Sequence, residues 1–389
     1  MTKHSQAYVV GMYEHPTRHA PDISTAQLHF EVARGALIDA GLTLDDVDGY
    51  FCASDAPGMG AATMAEYIGL RNIRHTDSTE TGGSAYLVHV GHAAAAIAAG
   101  KCNIALITMA DRPLGAKQGI KLGGVDLTQF VDLAYTGAFP IPPLAGYAAV
   151  ANRHMYEYGT TSEQLAWVKV AASHHAQHNP HALLRDVVTV DDVVNSPLVA
   201  DPLHRLDCCV VTDGGGAIVL ARADIARRIK RPMVKVKGCG EAIRHRTNDR
   251  FDLTTSGAIW SGQAAFAEAG ITPSDVKYVS IYDSFTITVV VQLEDLGFCA
   301  KGEGGPFVAD GNLISGVGRL PFNTDGGGLC SNHPGNRGGM TKLLEAVRQA
   351  RGEAHPAVQV PNHDLVLAHG TGGSLASYHV SSTVILEAE

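Results

Sequence analysis

Two stretches 229 residues apart repeat each other, and they constrain the fold of this 389-residue chain more than any other feature. Residues 36–47 read ALIDAGLTLDDV and residues 265–276 read AFAEAGITPSDV, sharing the pattern A-x-x-x-A-G-[LI]-T-x-x-D-V. Each copy predicts an amphipathic helix stopped by a glycine C-cap, Gly41 or Gly270, then a turn and an apolar strand. The strands are expected at Asp48–Cys52 and Tyr278–Tyr282. A second echo follows. The turn STETGGSA leads into an Ala-rich helix at Tyr86–Ala99 and a strand at Asn103–Met109. The turn SNHPGNRGGM leads into a helix at Thr341–Ala350 and a later strand at Asp364–Ala368. Two matching βαβ-type units, each with a glycine turn ahead of a helix, predict a duplicated α/β fold with mixed five-stranded sheets.

The middle of the chain has a different texture. Residues 111–143 are rich in glycine and proline and read as a loop excursion. A capped helix is expected over Thr161–His178, and an extended, turn-rich stretch over Val187–Asp207. Val210–Ala221 reads as an apolar strand or hairpin broken by Gly214–Gly216. Its echo is Val366–Leu386, which HGTGGS interrupts. The expected division is a first half at 1–111, a loop domain at 112–200, completion of the first half at 201–235, and a second half at 236–389. No low-complexity linker separates them, so rigid packing is expected.

Composition removes several function classes. Thirty basic against thirty-nine acidic residues give a net charge of −9, which lacks the basic face a nucleic-acid binder needs. Charged residues are 18% of the chain, below the roughly 25% of ordinary soluble proteins, and glycine is high at 43 residues. Such a chain suits a large, tightly packed α/β protein that buries surface in an oligomer. Met1–Tyr13 lacks the basic and apolar regions of a secretion signal. The longest apolar runs, such as Ala93–Ala99, fall far short of a membrane span. The seven cysteines form no C-x-x-C pair and no disulfide framework, so a reducing cytoplasm is expected.

Among chemical motifs, His174, His175, His178 and His181 in HHAQHNPH have helical metal-ligand spacings. They lack an accompanying glutamate or cysteine pair, and Asn179–Pro180 ends the helix, so a solvated face and no metal is expected. The glycine runs at 213–216 and 326–328 match neither a dinucleotide nor a P-loop pattern. The segment NTDGGGLCSNHPGNRGG, residues 323–339, is more informative. A histidine in a glycine-rich turn ahead of a helix presents backbone N–H groups and a positive dipole end, suited to an oxyanion. His333 would add a donor there. A capping turn with an incidental histidine is the plain alternative.

The same segment, with LLEAVRQARGEA after it, resembles the thiolase superfamily's N-x-x-G-G-x-x-x-x-G-H-P-x-G-x-x-G helix. Four further motifs are similar to one branch of that superfamily: YDSFTITVVVQLEDLGFC, KGEGGPFV, PLHRLDCCVVTDGGGAIVL and HGTGGSL. That branch contains sterol carrier protein X thiolases, lipid-transfer-protein thiolases and steroid side-chain aldolases. The resemblance runs nearly the whole chain. It implies a five-layered αβαβα fold of two halves plus a loop domain. It also implies a coenzyme A thioester as substrate with no bound cofactor, a homodimer, and a small zinc-ribbon/OB-fold partner in an α2β2 complex.

Carried over residue by residue, the resemblance puts Thr79 at the thiolase nucleophile, in a C-x-[ST]-G context reading Thr79-Glu80-Thr81-Gly82. It puts His333 at the G-H-P histidine, although Asn332 replaces the glycine. His369 takes the place of the second cysteine, and Tyr282 and Asp283 fall in the motif read H-D-x-F or N-E-x-F elsewhere. A threonine hydroxyl has a far higher pKa than a thiol and no base stands beside it, so a covalent thioester is not expected. What survives is an oxyanion site suited to a thioester enolate. The expected reaction is aldol or retro-aldol chemistry on a β-hydroxyacyl-CoA, with Tyr282 or His369 as base. Thiolysis of a β-ketoacyl-CoA and non-catalytic acyl-CoA or lipid binding remain the other two classes. Plain structural roles are the alternative at each position: packing for Tyr282, capping for Asp283, Thr79 and Thr81, and hydrogen bonding for His369.

Overall fold

The computed structural model describes residues 7–116, 143–244, 252–361 and 363–389. The loop excursion read at 111–143 lies outside them except at 111–116 and 143. In the first half, β1 (Ala7–Glu14), α1 (Thr25–Ala40), β2 (Gly49–Phe51), α2 (Ala61–Ile68), β3 (His75–Asp77), α3 (Ala85–Ala98) and β4 (Ile104–Asp111) follow in order. Then come α4 (Pro143–Tyr158), α5 (Ser162–Ala176), α6 (Val190–Val194) and a ribbon of β5 (Leu198–Ala200) and β6 (Leu203–His204). β7 (Gly214–Arg222) and α7 (Ala223–Ala226) complete this half. The second half is β8 (Val234–Ile243), α8 (Ala258–Ala269), β9 (Tyr278–Ile281), α9 (Thr286–Asp295), α10 (Gly304–Val308), α11 (Gly339–Ala350), β10 (Leu365–Gly373) and β11 (His379–Ala388).

The sequence echo has a local physical cause. Gly41 and Gly270 cap α1 and α8 in the left-handed conformation, at φ 67° and 68°. The Thr-x-x-Asp that follows is a capping box in both copies. Asp46 accepts from the Thr43 amide at 2.7 Å, and Asp275 accepts from the Thr272 amide at 2.8 Å. Each box turns the chain into the next strand.

The strand order is β3-β2-β4-β7-β1-β8-β11-β10-β9. The halves match about its middle. β1 and β8 each lie antiparallel to β7 or β11, which lie antiparallel to β4 or β10, which lie parallel to β2 or β9. Two five-stranded sheets were expected; the structure gives five strands and four, joined where Tyr8 and Val9 pair with Lys235 and Val234. The missing fifth strand, the counterpart of β3, is reduced to a parallel bridge of Val279 with Phe322.

Five layers result. α1 and α2 cover the outer face of the first half-sheet, burying Tyr8, Tyr50 and Leu106. α3 and α11 form the middle layer, where Tyr86, Leu87, Leu343 and Val347 pack with residues of both half-sheets. α4, α5, α8 and α9 cover the far face of the second, over Val279, Ile281, Leu367 and Ile385. Among the described residues no helix is long and apolar enough to cross a membrane.

Some expectations shift. The stretch at Val187–Asp207 contains α6, opened by a Thr189–Asp192 capping box that the turn-rich reading passed over. Gly214–Gly216 do not break β7; they begin it. A Cβ at Gly216 would lie 2.7 Å from Leu344, so the glycines admit α11 against the strand. HGTGG likewise lies within β10, which stays paired to β11 as far as Gly373.

Candidate active site

Tyr282 is the first residue past β9, and its amide donates to the His369 carbonyl at 3.0 Å. Strand alternation sends Ile281 into the outer core and Tyr282 into the middle layer. There the turn ahead of α3 lies against the ring. A Cβ on Gly83 would stand 2.7 Å from the Tyr282 hydroxyl, so only glycine lets the two approach. His333 arrives from the second glycine turn and is pinned by Thr212, whose hydroxyl accepts from the His333 amide at 2.9 Å. The Tyr282 and His333 rings meet edge to face, 5.4 Å between centroids at 78°. They are 3% and 7% exposed.

Each ring keeps a free polar atom. Among the described residues, His333 Nε2 and Tyr282 Oη find no hydrogen-bond partner, and Oη lies beside the Gly338 amide without meeting it in hydrogen-bonding geometry. A buried polar atom without a partner is expensive unless a water, an ion or a ligand meets it. Burial holds the Tyr282 phenol well above its ordinary range. Burial also lowers His333 to about 4, with the Asp283 charge opposing and Lys342 adding to the fall. At neutral pH the pair is therefore a protonated phenol beside a neutral imidazole: a donor and an acceptor. The expected roles had Tyr282 removing a proton and His333 donating a hydrogen bond; a raised phenol favours donation by Tyr282, and a neutral imidazole can donate or accept.

Asp283 does not cap the helix that follows; Phe285 takes the N-cap position of α9. Its buried carboxylate instead accepts from the amides of Gly328 and Leu329 at 2.8 and 3.2 Å and pairs with Lys342 Nζ at 2.7 Å. It thus fixes the turn at Gly327–Ser331 that delivers His333. Lys342 was not read from the sequence. Its signal was a lone lysine in GMTKLLEAV, on a helix whose neighbouring residues are apolar.

His369 is separated from the pair. It pairs in register with Ile281, so its side chain shares Ile281's outer face, and its Nδ1 bonds the Thr383 hydroxyl at 2.9 Å. Thr383 in turn bonds Ser261 of α8. The residues of β10 that do face the turn ahead of α3 are Gly370, where a Cβ would lie 3.2 Å from Ser84, and Gly372, where one would lie 3.1 Å from the Ser84 hydroxyl. His369 as base is therefore corrected: the period of two in a strand carries it to the other side of the sheet.

Thr79 is also outside the pair. Its hydroxyl and amide donate to Asp77, at 2.7 and 2.8 Å, and Asp77 is itself bonded to His92. A hydroxyl donating to an ionised carboxylate has no base drawing it toward the site. The residue of that turn touching Tyr282 is Gly83. A link unread in the sequence joins the two glycine turns: Arg337 reaches both oxygens of Glu80 at 2.9 Å and the Ser54 hydroxyl at 2.9 Å.

The nearby thiols are poor nucleophiles. Cys209, whose amide donates to the Ser284 carbonyl at 2.9 Å, has its thiol pushed up to about 12 by burial. Burial raises Cys330, within the His333 turn, as well. Among the histidines of 174–181, the expected solvated face fails at His175, which is buried and accepts from the Ser315 amide at 2.9 Å. His178 stacks on His355 at 4.9 Å. Among the described residues no cluster of three or more His, Cys, Asp or Glu is arranged to hold a metal.

Comparison with known proteins places this geometry. Residues 240–388 match the family described as thiolase C-terminal domain-like. The chain is 36% identical to the 17-hydroxy-3-oxo-4-pregnene-20-carboxyl-CoA lyase of Mycobacterium tuberculosis, over 94% of this chain and 97% of that protein. It is 34% identical to the acetyl-CoA acetyltransferase of Methanothermobacter thermautotrophicus, over 93% and 95% of the two chains. The solved Ltp2-ChsH2(DUF35) aldolase superposes with a TM-score of 0.88 at 32% identity, covering 99% of this chain and 98% of that one. The chain belongs to the thiolase superfamily, in the branch of the steroid side-chain aldolases.

Proposed function

We propose that this chain is a carbon–carbon lyase that cleaves a β-hydroxyacyl-CoA by a retro-aldol reaction, through a thioester enolate and without an acyl-enzyme. The observation that carries the reading is the buried Tyr282–His333 pair, one proton donor and one proton acceptor with free polar atoms, among thiols that burial keeps protonated. The coenzyme A thioester is supported by the substrates in the names of the lyase and acetyltransferase relatives.

In the cleavage direction the neutral His333 Nε2 takes the β-hydroxyl proton as general base. The C–O bond becomes a carbonyl, and the Cα–Cβ bonding pair moves into the thioester as an enolate. The Tyr282 hydroxyl donates to the developing oxyanion, supported by backbone amides of the glycine turns. Protonation of the enolate at Cα, by the proton His333 took, completes an acyl-CoA and a ketone or aldehyde, with no net gain or loss of protons. Asp283 acts one step behind, holding the turn. We extend the proposal to a homodimer with a small zinc-ribbon/OB-fold partner. The low share of charged residues in the chain and the two-component Ltp2-ChsH2(DUF35) aldolase support this assembly.

The test is incubation with a β-hydroxyacyl-CoA, product analysis, and intact-mass spectrometry of the protein. Carbonyl product with no covalent adduct, surviving thiol alkylation, supports the reading. An acyl adduct on a residue whose mutation removes both adduct and turnover establishes thiolysis instead. Tight acyl-CoA binding with no turnover, partner present, leaves a binding subunit. Light scattering at micromolar concentration decides the dimer.

A further inference from the structure

We propose that Lys169, on α5, is a positioning residue of the Tyr282–His333 site: its ammonium group holds the turn that carries His333 and offsets the negative charge of the thioester enolate. The inference rests on the enolate of the proposed function, and it holds whichever bond that enolate goes on to make or break.

Lys169 is 2% exposed, and its Nζ donates to the Leu329 carbonyl at 2.7 Å. Among the described residues no carboxylate pairs with it. A buried ammonium ion without a counter-ion is expensive, and a backbone amide satisfies a carbonyl without that penalty. The neighbouring carbonyls show the simpler solution: Gly328 accepts from the Val210 amide and Cys330 from the Leu184 amide, both at 2.9 Å. Arg18 reaches the Ser331 carbonyl at 3.0 Å, but Arg18 is paired with Glu14. At Leu329 the donor is a cation with no such pair.

Charge gives that cation a purpose. Asp283 accepts from the Gly328 and Leu329 amides and Asp325 from the Gly327 amide, so two carboxyl groups stand against the turn. Lys342 pairs with Asp283. An enolate formed beside His333 adds a further negative charge to these surroundings. Lys169 supplies a second positive charge from within α5, where water does not screen it. Fixed before the enolate forms, it needs no reorganisation as the charge develops.

The experiment follows exchange of the Cα protons of acetyl-CoA with D2O on the intact protein, by mass spectrometry. The parent should catalyse it, because His333 can take a Cα proton to form the enolate and return a deuteron. Lys169→Met should slow exchange by about tenfold or more while the acetyl-CoA Kd stays within about threefold. In Lys169→Ala, which lacks everything beyond Cβ, n-propylammonium chloride should restore exchange and 1-propanol should not. Exchange at the parent rate in Lys169→Met, or equal rescue by propanol, overturns the proposal. No exchange by the parent overturns it together with the enolate itself. Exchange that depends on Lys169, without cleavage of a β-hydroxyacyl-CoA, supports the proposal and removes the lyase reading alone. Should Lys169→Met fail to fold, the propylammonium comparison decides.

Discussion

Lys342 Nζ lies 2.7 Å from Asp283 Oδ1, and both side chains are sealed from solvent. Lys342 projects from α11 and Asp283 from the β9–α9 junction, so the pair ties the second-half sheet to the middle layer. Removing one partner of a buried pair strands the other charge and typically costs about 3–5 kcal/mol. Lys342→Met should therefore lower the unfolding free energy obtained from urea titration by an amount of that order, with a lower midpoint to match. It should also reduce kcat, because Asp283 loses its fixed orientation toward the Gly328 and Leu329 amides. A variant with unchanged midpoint and full kcat would show that the turn is held by other means.

Tyr282→Phe keeps the ring against Gly83 and removes only the hydroxyl. As an oxyanion donor it should take roughly 10²–10³ from kcat, with little change in melting temperature. His333→Gln removes the acceptor nitrogen and should cost about 10²–10⁴ as a lost general base. Equal activity in either variant, measured by steady-state kinetics, removes that residue from the mechanism.

The pH dependence follows from burial. His333 works in its neutral form, and its pKa is lowered to about 4. The rate should therefore be constant through pH 6–7 and fall only as pH drops through about 4. The Tyr282 phenol, held well above its usual range, adds no alkaline limb below about pH 10. An acid limb in kcat/KM near 6.5, the ordinary histidine value, would falsify the assignment of His333 as the base.

Much of the fold was legible because the echo encodes caps: Gly41 with Thr43–Asp46 and Gly270 with Thr272–Asp275 are local signals that need no tertiary information. The bridge of Val279 with Phe322 was not, since a strand cut to one pair leaves no periodicity. Within the site, the resemblance named Tyr282, His333 and Asp283, and the structure gathers them within one layer. It failed at His369, because which face of β10 a residue occupies depends on register with β9. Lys342 and the Arg337–Glu80 link stayed unread because each joins segments 59 or more residues apart. The protonation states were unreadable for the same reason: they come from burial.

Thr79→Ala is expected to leave kcat within about twofold of the parent, since its hydroxyl serves Asp77 and its turn touches Tyr282 only through Gly83. Its stability change should stay within about 3 kcal/mol, the upper end for a single hydrogen bond to a charged group. A large loss of kcat with normal folding would restore it as a reacting residue.

The final expectation concerns stability against pH. Burial lowers His89 and His333 to about 4 and His175 and His369 to about 3, and it lowers His178 and His379 as well. In the unfolded chain each takes a proton near 6.5, so below that pH the unfolded state binds protons that the folded state refuses. Each such group lowers stability by about 1.4 kcal/mol per pH unit once fully in its window. His92 has the opposite shift, raised to about 10 by Asp77 and Glu241. Its contribution is fully present below 6.5 and is lost only as pH rises through 10, so it leaves the slope between 6.5 and 5 unchanged. Glu345 opposes the histidines. Burial raises it to about 7, so in this range the folded state holds one proton that the unfolded state gives up. Burial also raises Asp111, Asp207, Asp295 and Asp325, but from an ordinary value near 4, below this interval. The histidines, whose unfolded value lies inside the interval, outweigh Glu345, and the melting temperature should fall from pH 7 to pH 5. Replacing His369, whose ring makes one side-chain bond to Thr383, with Gln should make that fall shallower by one group's share. A melting temperature that is flat or rises over the same interval would mean that these buried histidines take up protons in the folded protein.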